Sequence, residues 1–517
     1  MLWFAFLIVV TVGVLYRVYS RRGLPPLPPG PAMYSFPLWS TSHETGSSRA
    51  YSWLTYAKWR ETFGDLIYLN VFGNPLLILN SASSARDLLD KRSAVYSSRP
   101  TRTMQAELMG FDFLFSGMQY GPMYREHRAM FQKYFQPRQI REYHPILLKH
   151  ASTLVLNLSH NPKILEHHLR RTSAAVIIEI CYGHHVADQG DEYVTLADEA
   201  LSALNNSAIF GSYLVDYVPM LKHLPSWMPG AGFKRQAQQW RQLATKMLNY
   251  PFDKVKANLV AGTAEACLLT QELSDVWVTQ GTQGIRKEAM VKNVGASAYS
   301  AGVDTTMSTL MSFFLAMTLH PEIQAEAQRD IDSVVPGDRL PTFSDRSELP
   351  VVDRIMWELF RWNPSANIAL AHLSTEDDEY RGWRIPKGTT VLANIWSMLH
   401  DEEQYPNPQT FDPSRYLKQE QAGRSINPVP ELAFGFGRRI CPGRFLALDS
   451  IWIIIATVLS VYEITKARDT AGNVLEPQVS YTSGLISRPK TFPFRLVPRA
   501  SRSALLADLT ELSIDGS

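Results

Sequence analysis

The sequence predicts a mainly α-helical protein with a small β-rich region at one side and one apolar helix at the amino terminus. Apolar residues recur at spacings of three and four along several long stretches, which is the period of a helix with one buried face. These stretches are residues 145–158, 235–259, 287–319, 321–335 and 444–461. Short runs of strand-forming residues, bounded by turn residues, occur at 68–80, 380–392 and 492–497.

The amino-terminal prediction rests on charge. Residues 1–16 are uncharged and nearly all apolar, and Arg17, Arg21 and Arg22 follow them. A helix that extends to residue 20 spans about 30 Å, roughly the core of a bilayer. A cleaved signal peptide is the alternative, but its basic residues would precede the apolar run. We expect a membrane anchor over 1–20 with the remaining chain in the cytosol, because basic residues stay on the cytosolic side.

A proline-rich segment and a hairpin come next. Closely spaced prolines over 21–31 lack N–H donors and favour extended geometry, which predicts a stiff hinge. At 68–80 the sequence predicts two short strands joined at Gly73, Asn74 and Pro75. No flexible linker or repeat divides the chain, so we expect one large domain over 32–500 and a tail over 501–517.

Composition excludes some functions. A formal net charge of +2 over 517 residues argues against a protein that binds nucleic acid by neutralising phosphates. Cys181, Cys267 and Cys441 are too few and too scattered for a disulfide framework, which fits a reducing compartment. The chain also lacks a Walker loop, a nucleophile elbow and an H-E-x-x-H motif, so phosphoryl transfer and the common hydrolases have no motif here.

The most informative cysteine ends a glycine-rich loop. Residues 434–443 read F-x-x-G-x-R-x-C-x-G, and an apolar helical stretch follows. Gly435 and Gly437 permit unusual backbone conformations, and Pro442 suits a first helical turn. Cys441 therefore lies near a helix amino terminus, which we expect to lower its thiol pKa. One cysteine cannot hold zinc but can supply the axial ligand of a haem iron; a buried structural cysteine is the alternative.

Residues 301–306 interrupt a long helical pattern with poor helix formers. Gly302 and the adjacent Thr305 and Thr306 are unfavourable local choices. A threonine hydroxyl can return to a carbonyl one turn back and bend the helix, while Gly302 leaves room for whatever lies against it. A crossing of two helices through small residues is the alternative interpretation.

Two further motifs precede the cysteine loop in the sequence. Glu358 and Arg361 place opposite charges on one helical face, and an F-x-P-x-R motif that ends at Arg415 follows before the cysteine loop. Together these motifs resemble the cytochrome P-450 family of haem-thiolate monooxygenases, in its microsomal form. The resemblance covers about residues 30 to 500. In its details the sequence is similar to fungal enzymes of secondary metabolism. It implies the cytochrome P-450 fold.

The resemblance implies roles for individual residues. It makes Cys441 the axial ligand of haem b, Asp304 a proton relay and Thr305 a support for oxygen activation. Glu358, Arg361 and Arg415 would form a buried network that fixes the cysteine loop. The positions expected to contact the haem propionates are Tyr124, where the family usually has tryptophan, Arg128, Arg439 and His372. For His372 a core histidine is the alternative.

The implied reaction inserts one oxygen atom from dioxygen into a hydrophobic small molecule, by hydroxylation or epoxidation. NADPH would supply electrons through a separate reductase, at the endoplasmic reticulum membrane. The expected substrates are terpenoid, steroid-like or aromatic polyketide compounds, because the segments expected to line the pocket are apolar. Their apolar residues are Phe111, Phe113, Phe115, Ile368, Leu370 and Leu485.

Two surfaces are expected to meet partners. Trp227 and Met228 lie in an apolar, proline-broken connection over 215–230, which either dips into membrane lipid or packs into the protein. A basic cluster would either steer an acidic flavoprotein or form an ordinary solvated face. Its members are Arg125, Lys133, Arg438 and Arg444.

Two other functions remain open at this point. A haem-thiolate isomerase or a peroxide-using enzyme would need no reductase, but the intact Asp304 and Thr305 pair argues against it. A membrane-tethered haem-binding protein without catalysis is the non-enzymatic alternative, and such a protein has no need of a proton relay.

Overall fold

Helices form most of the structure, a computed structural model that describes residues 24–31, 51–208, 212–278, 281–421 and 429–515. The predicted anchor over 1–20 lies outside these residues, and only 24–31 of the predicted hinge are described. In the amino-terminal half the helices are α1 (Ser52–Phe63), α2 (Ala82–Ala85), α3 (Ser93–Tyr96), α4 (Pro122–Phe135), α5 (Pro137–Glu142), α6 (His144–His160), α7 (Leu165–Tyr182), α8 (Glu192–Ala208) and α9 (Gly232–Ala261).

In the carboxyl-terminal half the helices are α10 (Leu268–Val278), α11 (Thr282–Leu319), α12 (Pro321–Val334), α13 (Pro350–Trp362), α14 (Ile395–Leu399), α15 (Ser414–Gln421), α16 (Val429–Ala433), α17 (Arg444–Val461) and α18 (Ser503–Asp515). The strands are β1 (Leu66–Val71), β2 (Asn74–Leu79), β3 (His372–Leu373), β4 (Asp378–Tyr380), β5 (Trp383–Ile385), β6 (Thr390–Ala393), β7 (Tyr462–Lys466) and β8 (Phe494–Pro498). Residues 503–515 of the predicted tail are thus helical.

The strands form three small sheets at the side of the helical body. The largest has the order β1-β2-β6-β3, in which β2 and β6 are parallel and the other neighbours antiparallel. The predicted hairpin is present, but its turn is at Phe72 and Gly73, and Pro75 lies within β2. Proline is tolerated there because β2 pairs with β6 only from Leu76 onward, so no ladder donor is lost.

The main core is built around α11. Most of its carboxyl-terminal half is buried, and it packs most extensively against α7. A helix that is apolar all round belongs in the interior. Helices α9 and α11 begin earlier than the sequence pattern indicated. Their first turns are largely polar and show no apolar period, so the pattern did not reveal them.

Helix α17 coincides with the predicted stretch 444–461. Among the described residues it is the helix long and apolar enough to cross a membrane, and 72% of that span is buried inside the protein. It runs from the cysteine loop into the core, where it packs against α6, α11, α12 and α13. The loop that carries Cys441 is therefore attached to the most deeply buried part of the fold.

Two prolines of the segment 24–31 are hydrogen-bonded to the sheets. Pro29 O accepts a hydrogen bond from Tyr68 N of β1 (2.8 Å), and Pro26 O accepts one from Arg384 N of β5 (2.8 Å). Gly30 passes so close to β1 that a side chain there would collide with the Tyr68 carbonyl. Residues 24–31 thus form part of the folded domain.

Candidate active site

The cysteine loop is clamped against the segment Arg86–Lys91. Gly437 has a φ of +51°, and a Cβ atom on it would lie 2.2 Å from Leu89 O. The Gly437 N–H donates to the carboxylate of Asp90. At the other end of the loop, Cys441 N donates to Phe434 O (2.8 Å). Glycine at 437 is therefore required by both conformation and space.

Cys441 lies deep in the protein, yet part of its surface is accessible. The pKa of its thiol is raised, because burial outweighs the Gly443 N–H and the charges of Arg128 and Arg444. The expected lowering by the helix terminus is therefore wrong for the protein alone. A cation bound to the sulfur would reverse this, since a coordinating thiol loses its proton outright.

Helix α4 brings two predicted residues to this region. Tyr124 and Arg128 are one turn apart, and Arg128 Nη1 donates to the Tyr124 hydroxyl (3.1 Å). That hydroxyl donates to Arg438 O in the cysteine loop (2.8 Å). The Arg439 guanidinium lies over the Tyr124 ring, 3.6 Å from its centroid. Tyr124 therefore joins α4 to the loop.

Arg99 was not predicted, yet it is part of the same cluster. It is buried, and it donates to Ser116 O (3.1 Å), Leu370 O (2.6 Å) and Ala371 O (2.8 Å). Burial and the nearby charge of Arg439 lower its pKa to about 9. No local pattern marks this residue in the sequence, since its partners lie far along the chain.

His372 is also buried beside these arginines. Its Nδ1–H donates to Tyr96 O (2.7 Å), because a carbonyl can only accept. Burial first, and then the charges of Arg99 and Arg439, lower its pKa well below the usual value. In the protein alone the imidazole is neutral, with Nε2 as an acceptor.

The cluster fits a dianionic ligand such as haem. In the described part of the chain, Arg99, Arg128 and Arg439 form no ion pair with a carboxylate, and Arg439 Nη1 and Ser97 Oγ are buried without a partner. Buried cations require an anion or several acceptors. Two propionates would supply charge to all three guanidinium groups and acceptors to the two unpartnered atoms.

The middle of α11 carries the next predicted residues. Ala301 is exposed although residues 303 and 304, on other faces of the helix, are buried, and the accessible space over the Ala301 face is called the hollow below. Thr305 is half-buried on the same face, and its hydroxyl donates to Ala301 O (2.8 Å). Gly302 faces α7 instead, where a Cβ would lie 3.3 Å from Ile177 Cγ1. The space that Gly302 leaves is thus used for helix packing.

Asp304 points away from the hollow. Its Oδ1 accepts from Arg170 Nη1 (2.7 Å), and its Oδ2 accepts from Asn205 Nδ2 (2.7 Å). The same Arg170 nitrogen also contacts Asp198 Oδ1 (3.0 Å). Arg170 and Asp198 line a surface cavity of about 360 Å³ with Ile164, Glu166 and His167. Asp304 is thus separated from a solvent-filled cleft by one arginine.

The structure brings Glu358, Arg361 and Arg415 together. Glu358 is fully buried and accepts two hydrogen bonds from Arg361, both 2.8 Å, and one from Arg415 Nε (3.1 Å). Tyr416 Oη (3.0 Å) and Asp412 N (2.9 Å) complete its shell. Arg361 also donates to Leu399 O, Pro408 O and Thr410 O. The network thus ties α13 to the segment that precedes the cysteine loop.

Comparison with known proteins decides the family. The profile of the cytochrome P-450 family matches residues 25–493. The chain belongs to the cytochrome P-450 family. Members of this family are haem-thiolate enzymes that use haem b with a cysteine axial ligand, and the chain is a cytochrome P-450 monooxygenase.

Similar P-450 monooxygenases occur in fungi. The chain is 38% identical over 494 residues to one from Armillaria gallica (95% of each chain) and 39% identical over 505 residues to number 208 of Postia placenta (96% of each). It is also 36% identical over 494 residues to the tryptamine 4-monooxygenase of Psilocybe cyanescens, covering 95% of this chain and 96% of that one.

Solved structures share the P-450 fold. A zebra fish cytochrome P-450 with abiraterone has a TM-score of 0.70 at 22% identity, covering 87% of this chain and 100% of that one. A zebra fish cytochrome P-450 structure with progesterone has a TM-score of 0.71 at 22% identity, covering 87% of this chain and 99% of that one. At this identity the likeness establishes the fold alone.

The four residues of the predicted basic cluster of this P-450 differ in exposure and in their partners. Arg125 and Arg438 are exposed, and both guanidinium groups lie over the Tyr120 ring, at 5.9 Å and 5.3 Å. Lys133 instead pairs with Glu272 (2.7 Å), and Arg444 donates to Cys441 O (3.1 Å). Arg125 and Arg438 are therefore the exposed members of the cluster without an ion pair in the described part of the chain, whereas the charge of Lys133 is paired and Arg444 is half-buried.

Apolar side chains are exposed in the connection between α8 and α9. Met220 is 81% and Trp227 77% exposed, whereas Met228 is half-buried. Phe72, at the tip of the β1–β2 turn, is 55% exposed, and its ring lies 6.3 Å from that of Tyr217 in the same connection. The turn and the connection thus form one apolar edge.

Proposed function

We propose that this P-450 inserts one oxygen atom from dioxygen into a hydrophobic small molecule, by hydroxylation or epoxidation, with electrons from NADPH delivered by a separate reductase. One observation carries the proposal. Arg99, Arg128 and Arg439 converge on the loop that bears Cys441, and they form no ion pair with a carboxylate of the described residues. This arrangement suits a dianionic cofactor held beside a single thiol.

In this proposal Cys441 is the axial ligand of the haem iron, and the three arginines hold the propionates with Tyr124. A propionate beside His372 would favour protonation of its imidazole, because the anion would offset the burial that lowers its pKa. When bound, haem supplies the redox chemistry and the activation of dioxygen. Glu358, Arg361 and Arg415 hold the segment that leads into the cysteine loop.

Thr305 and Asp304 divide the handling of protons. The Thr305 hydroxyl donates a hydrogen bond to Ala301 O, so its oxygen lone pairs are available to accept a hydrogen bond inside the hollow. Asp304 faces the cleft through Arg170 and Asn205. In this proposal a proton from solvent reaches Asp304 when Arg170 shifts toward Asp198, and rotation of the Asp304 side chain then carries it to the hollow.

The membrane face in this proposal is the apolar edge formed by Phe72, Met220 and Trp227. Its exposure suits a surface that inserts among lipid headgroups of the endoplasmic reticulum. Protein that lacks residues 1–23 should therefore sediment with phosphatidylcholine vesicles, and M220S with W227S together should release it. M123S and I285S, which alter exposed residues of other elements, are the matched control.

The reductase partner meets Arg125 and Arg438, whose free charges would steer an acidic flavoprotein. The substrate class is terpenoid, steroid-like or aromatic polyketide, as in secondary metabolism. Phe111, Phe113 and Phe115 are buried in the main core, and Phe115 N donates to Ser297 Oγ of α11 (3.3 Å). The apolar segment thus runs beside the helix that borders the hollow.

Purified protein supplied with NADPH, reductase and a panel of terpenoids and aromatic compounds tests the proposal. Product that requires both NADPH and reductase supports it. Product formed with hydrogen peroxide alone, or no product from any compound that shifts the haem spectrum, contradicts it. C441S should lose the red-shifted absorbance band of the reduced, carbon monoxide-bound form, while C267S, which alters a buried cysteine elsewhere, should retain it.

A further inference from the structure

We propose that Ser365 is a positioning residue for Thr305, an inference that rests on the proposed monooxygenase function. Ser365 lies in the connection that follows α13, and its hydroxyl donates to Thr305 O of α11 (3.0 Å). Thr305 is the residue whose hydroxyl faces the hollow, so the bond joins two separate walls of the site at that residue. Nothing in the local sequence around Ser365 indicates this contact.

Two hydroxyl groups meet at the Thr305 carbonyl. Because a carbonyl only accepts, Ser365 is the donor in its bond to Thr305 O. Thr309 Oγ1 also lies within bonding distance of Thr305 O (3.3 Å) and lies 3.1 Å from Ser365 Oγ, where either hydroxyl can be the donor. Thr309 is 1% exposed and Ser365 is half-buried. Ser365, Thr309 and the Thr305 carbonyl thus form one hydrogen-bonded cluster, in which Ser365 makes the shorter bond to the carbonyl.

Ser365 is itself fixed from a third segment. Its carbonyl accepts from Ser487 N (2.8 Å), and Ser487 O accepts from Ser308 Oγ (2.5 Å). Ser308 and Thr309 are adjacent in α11, so the connection at Ser365 and the turn at Ser487 both bind the same helical turn. Ser365 is consequently held in place beside this turn of the helix.

This arrangement compensates for a weak point in α11. The bond from the Thr305 hydroxyl to Ala301 O is of the kind that bends a helix and lowers its stability. Ser365 adds an external donor to the Thr305 carbonyl at that bend. The peptide is thereby held in one orientation, and the Thr305 hydroxyl with it. Small displacements of such a group have large effects on reactions that depend on alignment.

The test is S365A in the haem-loaded full-length enzyme. The product formed per NADPH should fall about fivefold, which corresponds to one net hydrogen bond of about 1 kcal/mol. The missing electrons should appear as hydrogen peroxide, formed from dioxygen, two electrons of NADPH and two protons. S365T keeps the hydroxyl and should restore most of the coupling. In the resting enzyme, amides of residues 305–312 should exchange hydrogen faster in S365A by a similar factor.

Ser312 provides the matched control. It lies in the same helix, donates to Ser308 O (3.0 Å) and accepts from Asn363 Nδ2 (2.8 Å), but it makes no contact with Thr305. S312A should lower stability without changing the product formed per NADPH. Wild-type coupling and exchange in S365A, or equal uncoupling in S312A, would overturn the proposal. If the wild type forms no NADPH-dependent product, the proposed function fails, and hydrogen exchange still decides the role of Ser365.

Discussion

Asp304 forms an ion pair with Arg170, with 2.7 Å between Asp304 Oδ1 and Arg170 Nη1. The same nitrogen lies 3.0 Å from Asp198 Oδ1, so one cation serves two carboxylates. The two carboxylates differ in exposure, because the Asp304 side chain is 9% exposed and that of Asp198 is 43% exposed. Arg170 is therefore the link between a buried acid and solvent.

Removing the charge of Arg170 should be costly. R170Q leaves Asp304 buried with only Asn205 as a partner, and we expect the free energy of unfolding to fall by about 3 kcal/mol. D198N removes the exposed partner and should cost less than about 1 kcal/mol. Urea midpoints of the two variants at unchanged m-value measure the difference. Equal decreases in the urea midpoint would show that the ion pair of Arg170 with Asp304 contributes no more to stability than its ion pair with Asp198.

Gly437 and Gly435 offer a matched pair within the cysteine loop. G437A forces a Cβ atom to within 2.2 Å of Leu89 O, so the loop must move and haem should be lost. G435A meets nothing within 4 Å, and its φ of +84° should cost only about 1–2 kcal/mol. Haem content per polypeptide after purification measures both. Full haem content in G437A would show that the contact with Leu89 does not fix the loop.

The shell around Glu358 predicts a graded response. Y416F removes one hydrogen bond to a buried carboxylate and should cost about 1.5–3 kcal/mol. E358Q should prevent accumulation of haem-loaded protein, because two buried arginines lose their anion. Y405F is the control, since this buried tyrosine lies under Arg361 without a bond to Glu358. Thermal midpoints distinguish Y416F from Y405F, and equal midpoints would contradict the prediction.

His400 should make stability depend on pH. Burial, and then the charge of Arg361, lower its pKa from 6.5 to about 3. The unfolded chain therefore binds a proton more readily than the folded one as pH falls below 6.5. Stability from this group is complete above pH 6.5 and is lost progressively down to about pH 3, with about 2 kcal/mol lost by pH 5.

The variant H400Q measures this contribution. Urea midpoints of the wild type and the variant are compared at pH 8 and pH 5, so that other buried histidines affect both proteins equally. The decrease between the two pH values should be about 2 kcal/mol smaller in H400Q. An equal decrease in both proteins would show that His400 takes up its proton in the folded state as well.

Local patterns predicted the elements better than the contacts between them. The boundaries of α17 follow from an unbroken apolar period, and the glycine loop before it is visible in the sequence. Arg99, Arg170 and Ser365 were missed because their partners lie many residues away and no period or motif surrounds them. Such contacts form only when distant segments pack together.

The thiol of Cys441 shows the same limit for electrostatics. The nearby helix terminus is a local feature and indicated a lowered pKa, whereas desolvation depends on how the whole chain encloses the sulfur. Desolvation is the larger effect here. A window of ten residues indicates the sign of the helix-terminus effect on the thiol pKa, but it contains no information on desolvation.

The two hydrogen bonds that hold the prolines also determine how the chain enters the domain. Pro26 is bound to β5 and Pro29 to β1, so the peptide crosses from one sheet to another along a set line. A force applied to the chain ahead of Leu24 would therefore be transmitted directly to these two sheets. In the proposed membrane-bound form, sheet geometry would then determine the tilt of the catalytic domain relative to the lipid surface.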